Sequence, residues 1–215
     1  MVLAVVWPGG LMAASFTIAD RLEQFRPHVE RRLEADVERV DAVWPPERLA
    51  LLGFKQERVL EVWLPAKSAK WVCVRSYPVL AASGGLGPKL REGDLQVPEG
   101  IYGLEYLNPN SRFHLSMKVS YPNAWDRARA REDGRTRLGG DIMIHGRDVS
   151  IGCLAVGDEA VEELFVMAAL AGVANAEVLL CPVDFRVRSL PRGVRIPPWM
   201  TEVYEELKAE LDRFR

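Results

Sequence analysis

Cysteine and histidine are scarce in this chain, three of each among 215 residues. The histidines (His28, His114, His145) and the cysteines (Cys73, Cys153, Cys181) lie far apart, and no group of them has zinc-ligand spacing. A metal centre is therefore not expected, and neither is any other cofactor. An odd cysteine count also leaves at least one thiol unpaired within the chain, and pairing of Cys73 with Cys181 cannot be read from the sequence. An excess of either charge is lacking too: 28 basic against 30 acidic side chains give a formal charge of −2, which offers no global attraction to nucleic acid or to an anionic membrane. No apolar run is long enough to span a bilayer, since Pro8-Gly9-Gly10 interrupts the N-terminal one. The glycine-rich stretch 83–87 lacks phosphate-loop spacing and runs into Pro88, which has no amide proton to donate. Nucleotide binding is excluded there.

What is present suits one sizeable core: 48% hydrophobic and 27% charged residues in a chain of this length. Residues 1–17 read as an export-signal remnant or a disordered tail, although the basic start of a secretory signal is missing. Residues 18–48 read as a helical extension. Leu22, Phe25, Val29, Leu33, Val37 and Val40 form one stripe there, with a break or kink expected at Pro27. Short strand-like runs follow at 49–54, 58–64 and 71–77, and a hairpin is expected about Asn108-Pro109-Asn110. In its second strand Leu115, Met117 and Val119 alternate with His114, Ser116, Lys118 and Ser120, giving an apolar and a polar face. Arg127 to Arg137 reads as a solvated arginine-rich loop. Asp158 is the expected N-cap of a helix to Ala171, Glu177 to Phe185 an edge or bulged strand at Pro182, and 191–215 a C-terminal helix. The fold class is α+β: a mainly antiparallel, sandwich-like β core with N-terminal, middle and C-terminal helices.

Ile142 to Val156, IMIHGRDVSIGCLAV, concentrates the reactive residue types. Gly152 beside Cys153 lets a carbonyl group approach the sulfur closely, and a thiol needs a neighbouring base or dipole to become nucleophilic. His145 is the candidate base, reaching Cys153 if Gly146 to Val149 turn the chain back. Backbone amides of Gly152 and Cys153 are candidate oxyanion donors, and Ser150 is a candidate support for His145 or for that oxyanion site. The residues alone leave three readings open: acyl transfer on Cys153, a non-catalytic binding module in which the motif is structural, and a redox thiol protein.

The pattern HG-x3-S-x-GC resembles the signature of the YkuD-type L,D-transpeptidases, in the variant of the YafK-like branch. Gly87-Pro88-Lys89, Arg91-Glu92-Gly93-Asp94 and Val97-Pro98-Glu99-Gly100-Ile101-Tyr102 resemble a second block of that family, and Ser120-Tyr121-Pro122-Asn123 a third. Two positions depart from the usual pattern: Ile151 where a second histidine is common, and Ala155 where many relatives carry arginine. The resemblance implies a YkuD-like catalytic domain over 49–190 acting in the cell envelope, periplasmic or secreted. It implies peptidoglycan stem peptides as donors, cleaved at a bond between L- and D-centres at diaminopimelate. The thioester on Cys153 would pass to an acceptor amine or to water, and the hydrolytic outcome would release a wall-attached lipoprotein. Tyr121, Arg147, Arg137 and His114 are the further candidates for substrate contact.

Overall fold

The computed structural model describes residues 15–150 and 152–215. The export-signal reading falls largely on residues 1–14, outside the described residues, and Ile151 lies outside them too. The chain from Thr17 onward opens with helix α1 (Ile18–Arg39), whose first turn is fixed by a reciprocal capping box between Thr17 and Asp20. The helix runs through Pro27 without the expected break. Both Pro27 and Glu23, whose carbonyl loses its partner, are exposed, so that carbonyl can be hydrated, while Phe25, Val29 and Leu33 anchor the buried stripe.

The strands are β1 (Leu49–Phe54), β2 (Val59–Pro65), β3 (Trp71–Pro78), β4 (Gly100–Ser111), β5 (His114–Val119), β6 (Met143–His145), β7 (Leu154–Ala155) and β8 (Ala176–Cys181). Helix α2 (Ala124–Glu132) lies between β5 and β6, α3 (Asp158–Ala171) between β7 and β8, and α4 (Met200–Leu211) near the C-terminus. The strands form one sheet in the order β3-β2-β1-β8-β4-β5-β6-β7. Pairing is antiparallel except for β1 with β8 and β6 with β7. Strand β4 joins the halves, pairing with β8 through Gly100–Gly103 and with β5 from Leu104 onward. The sheet curls until its ends meet: the chain leaving β3 bridges to β7, with the Ala155 amide donating to the Ala81 carbonyl at 2.9 Å.

Three local expectations need correction. The β4–β5 turn falls at Arg112-Phe113 rather than at Asn108-Pro109-Asn110, because Ser111 pairs with His114. The arginine-rich segment is helical in its first half, as α2. The capping box of Asn123 with Asp126 supplies the start signal, and the arginines are good helix formers. Strand β8 is central rather than an edge, and Pro182, lying just beyond it, breaks no ladder bond.

Helices α1 and α3 cover one face of the sheet, and α4 the other. Helix α3 is apolar nearly all round, with Val161, Leu164, Phe165 and Ala168 fully buried. Its one buried charge, Glu163, accepts from Arg32 Nε at 2.7 Å, Arg75 Nη1 at 3.0 Å and the Tyr77 hydroxyl, so α1, β3 and α3 meet on a single carboxylate. Removing one side of such a buried pair leaves uncompensated charge. Glu163→Ala should lower unfolding free energy by about 3 kcal/mol in urea titration followed by circular dichroism. A loss below about 1 kcal/mol, the worth of an exposed pair, would contradict this account.

Candidate active site

The parallel pair β6–β7 sets Ile144 beside Leu154 and His145 beside Ala155. Continued one residue back, that register sets Cys153 beside Met143. Cys153 itself precedes β7 and turns its sulfur onto the backbone of the chain entering β6, at Asp141 and Met143, the latter two positions before His145. Ser116 of β5 pairs with His145 and Lys118 with Met143, so the polar face expected for β5 is the face that carries His145.

Cys153 Sγ accepts from the Met143 amide at 3.4 Å and donates to the Asp141 carbonyl at 3.5 Å. Burial pushes the thiol above its ordinary value of 9.0; the Met143 amide works against burial, Asp141 adds to it and Lys89 opposes it. His145 is buried. Its Nδ1 lies 2.6 Å from the Gly146 carbonyl oxygen, a contact that requires Nδ1–H and leaves the lone pair on Nε2. Burial holds the imidazole below its ordinary 6.5, with the Gly146 bond opposing. The Phe113 ring packs over the imidazole at 4.6 Å between centroids. No hydrogen bond joins His145 to Cys153 among the described residues. Burial thus works against the charged form of both groups.

Ser150 acts on Cys153 itself. Its Oγ accepts from the Cys153 amide at 2.9 Å and donates to the Cys153 carbonyl at 2.6 Å. The Gly152 amide donates to Ser83 Oγ, which in turn donates to the Leu95 carbonyl at 2.8 Å. Both amides expected to hold an oxyanion are thus capped by hydroxyls. Gly152 has φ +96°, a left-handed conformation that glycine adopts without strain. The expected Asp158 cap is replaced by Gly157. Asp158 instead accepts from the Arg147 amide at 2.7 Å, tying the first turn of α3 to the turn after His145, while the sulfur draws its donor from Met143.

The other candidates are dispersed. His114 Nε2 contacts Glu162 at 3.0 Å and its ring meets Phe25 edge-on, facing the helices. Tyr121 is buried, and its hydroxyl donates to the Lys89 carbonyl at 3.2 Å. Arg137 pairs with Glu92 at the surface, and Arg147 holds the turn through its backbone while its side chain is exposed. The structure adds Ser83 and Phe113, which the sequence reading left out as site residues, and gives contacts to the strap between β3 and β4, which the sequence showed only as a family block. In that strap Lys89 Nζ reaches Asp94 at 2.6 Å, and Asp94 accepts from the amides of Leu90, Arg91 and Gln96. The spacing of Lys89, Asp94 and Glu99 was visible, but their roles depend on where the strap lies. Cys73, Cys153 and Cys181 are all free thiols. Among the described residues no group of side chains could hold a metal ion, and no helix is long and apolar enough to cross a membrane.

Gly146 is the tightest point of the turn after His145. A Cβ there would sit 2.5 Å from Asp158 Oδ1 and 2.7 Å from the Phe113 carbonyl. Gly146→Ala should cost about 1–3 kcal/mol in stability, read from urea denaturation, and should displace the imidazole, read from its NMR shifts. Wild-type stability with unchanged imidazole shifts would show that the turn tolerates a side chain.

Residues 57–179 match the family model described as the L,D-transpeptidase catalytic domain, YkuD. The protein YafK is 35% identical over 166 residues, in Escherichia coli (strain K12) and in Escherichia coli O157:H7 alike; the match covers 75% of this chain and 64% of YafK. The chain thus spans a little under two thirds of the length of these curated relatives. Among solved structures, the helical cell shape determining protein Pgp2 from Campylobacter jejuni has a TM-score of 0.52 at 20% identity, over 73% of this chain and 56% of that one, a likeness of fold. The curled sheet, the matched region and the YafK identity lead to one assignment: this chain belongs to the YkuD L,D-transpeptidase catalytic domain family.

Proposed function

We propose that the protein is a cysteine acyltransferase of the cell envelope that takes peptidoglycan stem peptides as donors. The observation supporting this reading is the contact of Cys153 Sγ with the Met143 amide, two positions along β6 from His145, together with the Nδ1 contact that leaves Nε2 free to take a proton. Cys153 Sγ attacks the amide carbonyl carbon between an L- and a D-centre as its proton passes to His145 Nε2. The tetrahedral oxyanion takes the amides of Gly152 and Cys153 once the Ser83 and Ser150 hydroxyls turn aside. Collapse breaks the C–N bond, His145 returns the proton to the leaving amine, and a thioester remains. An acceptor amine then attacks the thioester, giving a crosslink or an attached protein. Attack by water instead frees the stem peptide as a carboxylic acid; where the leaving amine of the first step belongs to a wall-bound lipoprotein, that protein has already departed with the broken C–N bond. Either route regenerates the thiol.

Because burial works against the charged form of both groups, the base form of His145 persists below pH 6.5, while Cys153 ionises by itself only above 9.0. Iodoacetamide labelling of Cys153, resolved from Cys73 and Cys181 by peptide mapping, should therefore rise with a midpoint above 9.0. A midpoint below 9.0, the ordinary thiol value from which burial should raise it, would contradict this and point to a thiolate favoured by its surroundings.

Incubation with a purified stem tetrapeptide should produce an intact-mass increase equal to the acyl fragment, absent from Cys153→Ala and labile to hydroxylamine. The proposal fails on no adduct with the wild type, or on an adduct that survives in Cys153→Ala.

A further inference from the structure

The polar face of β5 presents one free hydroxyl to the active site. Ser116 is flanked in its strand by Leu115 and Met117, both fully buried in the core under α1 and α3, so its own side chain points to the opposite face, the one that carries His145. The neighbours before and after it along the polar positions are occupied: His114 contacts Glu162, and Lys118 stands between Glu105 and Asp141. Ser116 Oγ forms no hydrogen bond among the described residues, although only 3% of the residue is exposed. A hydroxyl so nearly buried is unfavourable unless something else bonds it. Among the described residues only the Glu57 carboxylate is both enclosed and unpaired, so the small exposed part of Ser116 includes its hydroxyl.

The ladder sets that hydroxyl against the imidazole. The Gly146 amide donates to the Leu115 carbonyl and the Val119 amide to that of Ile142, which makes Leu115–Gly146 and Val119–Ile142 hydrogen-bonded pairs of the antiparallel ladder. Pairs alternate in kind, so Ser116–His145 is a non-hydrogen-bonded pair, whose side chains stand closest, with Cβ atoms about 5 Å apart. Strand β6 lies between β7 and β5. Cys153, just before β7, brings its sulfur to the Met143 amide from one side of β6, and Ser116 stands on the other side. A carbonyl carbon on Sγ with its nitrogen at His145 Nε2 spans β6, and the substituents of that nitrogen extend toward β5.

We propose that Ser116 is a catalytic residue whose hydroxyl oxygen accepts the N–H of the amine that leaves from, or attacks, the acyl group. The inference rests on Cys153 being the acylated residue. In acylation Sγ bonds to the carbonyl carbon as its proton passes to Nε2. When the C–N bond breaks, its electron pair stays on nitrogen, Nε2 returns the proton there, and the hydrogen already on that nitrogen is held by Ser116 Oγ. An attacking amine uses both contacts in reverse. One N–H donates to Oγ, the nitrogen lone pair bonds to the thioester carbon, the other N–H proton passes to Nε2, and the C–S bond breaks to a thiolate that takes this proton.

The role is tested with a stem tetrapeptide and with its depsipeptide, in which an ester oxygen replaces the scissile N–H and removes the group that Ser116 would bind. Values of kcat/KM are read from product release by chromatography, for wild type and Ser116→Ala. The ratio of amide to ester kcat/KM should fall about tenfold in Ser116→Ala, the worth of one hydrogen bond. Both substrates are measured on one sample, so a smaller folded fraction or a displaced imidazole lowers them together and leaves the ratio unchanged. A ratio within about twofold of the wild-type value, whether both rates fall or neither does, would overturn the role of Ser116 and leave the acyl-enzyme standing. A wild type that yields no thioester and no product from either substrate would overturn the acyl-enzyme, and the role of Ser116 with it.

Discussion

Glu99 is a carboxylate buried inside the fold, and the active-site surroundings depend on how its charge is met. It accepts from the Lys55 ammonium at 2.9 Å, the Gly87 amide at 2.8 Å and the Tyr204 hydroxyl at 2.5 Å. Lys55 also donates to the carbonyls of Gly87 and Val97. A buried charge lacking any of these would cost several kcal/mol. The β1–β2 turn, the strap between β3 and β4, and α4 must therefore assemble together. The strap then has one path, which brings Ser83 onto the Gly152 amide and sets Lys89 near the thiol. A contact far from the chemistry in sequence thus fixes the backbone on which the chemistry stands.

The strand that carries His145 and the one that begins just after Cys153 are the shortest in the sheet, Met143–His145 and Leu154–Ala155. Strands so short gain little from their own ladder, and their order is imposed from outside. Ala155 is fixed by the bridge from Ala81, which also closes the sheet, and Cys153 is enclosed by the hydroxyl of Ser150. Gly146 leaves no room for a Cβ between Asp158 and Phe113, and Arg147 takes φ +59° beside it. Strain of this kind persists where the surroundings over-determine the backbone.

Burial acts on both members of the pair against charge, raising the thiol and lowering the imidazole. Proton transfer from Cys153 to His145 would create two ions in a half-buried site, at a cost that the Met143 amide only partly offsets. In the reaction we propose, the proton moves as the sulfur attacks, which avoids that separation of charge in the resting protein. The hydroxyls on the Gly152 and Cys153 amides serve the same end, satisfying donors that would otherwise be buried unpaired.

The sequence by itself determined the element types over most of the chain, because apolar periodicity and caps are local: the α1 stripe of Phe25, Val29 and Leu33, the β5 alternation, and α4 after Pro197-Pro198. It also singled out Cys153 and His145, since a glycine-rich turn joins them within nine residues. The hairpin turn went to Arg112-Phe113 because strand register is set by pairing across the sheet, which Asn108-Pro109-Asn110 cannot announce. Helix α2 was legible in Asn123 and Asp126 but was masked by its arginine content. Only the tertiary structure decided that Ser116 stands beside His145, that Tyr121 and His114 turn to backbone and helix partners, and that Ser83 meets Gly152 across 69 residues. Those contacts join residues distant in sequence through buried charge and sheet closure, and no local pattern encodes such a meeting.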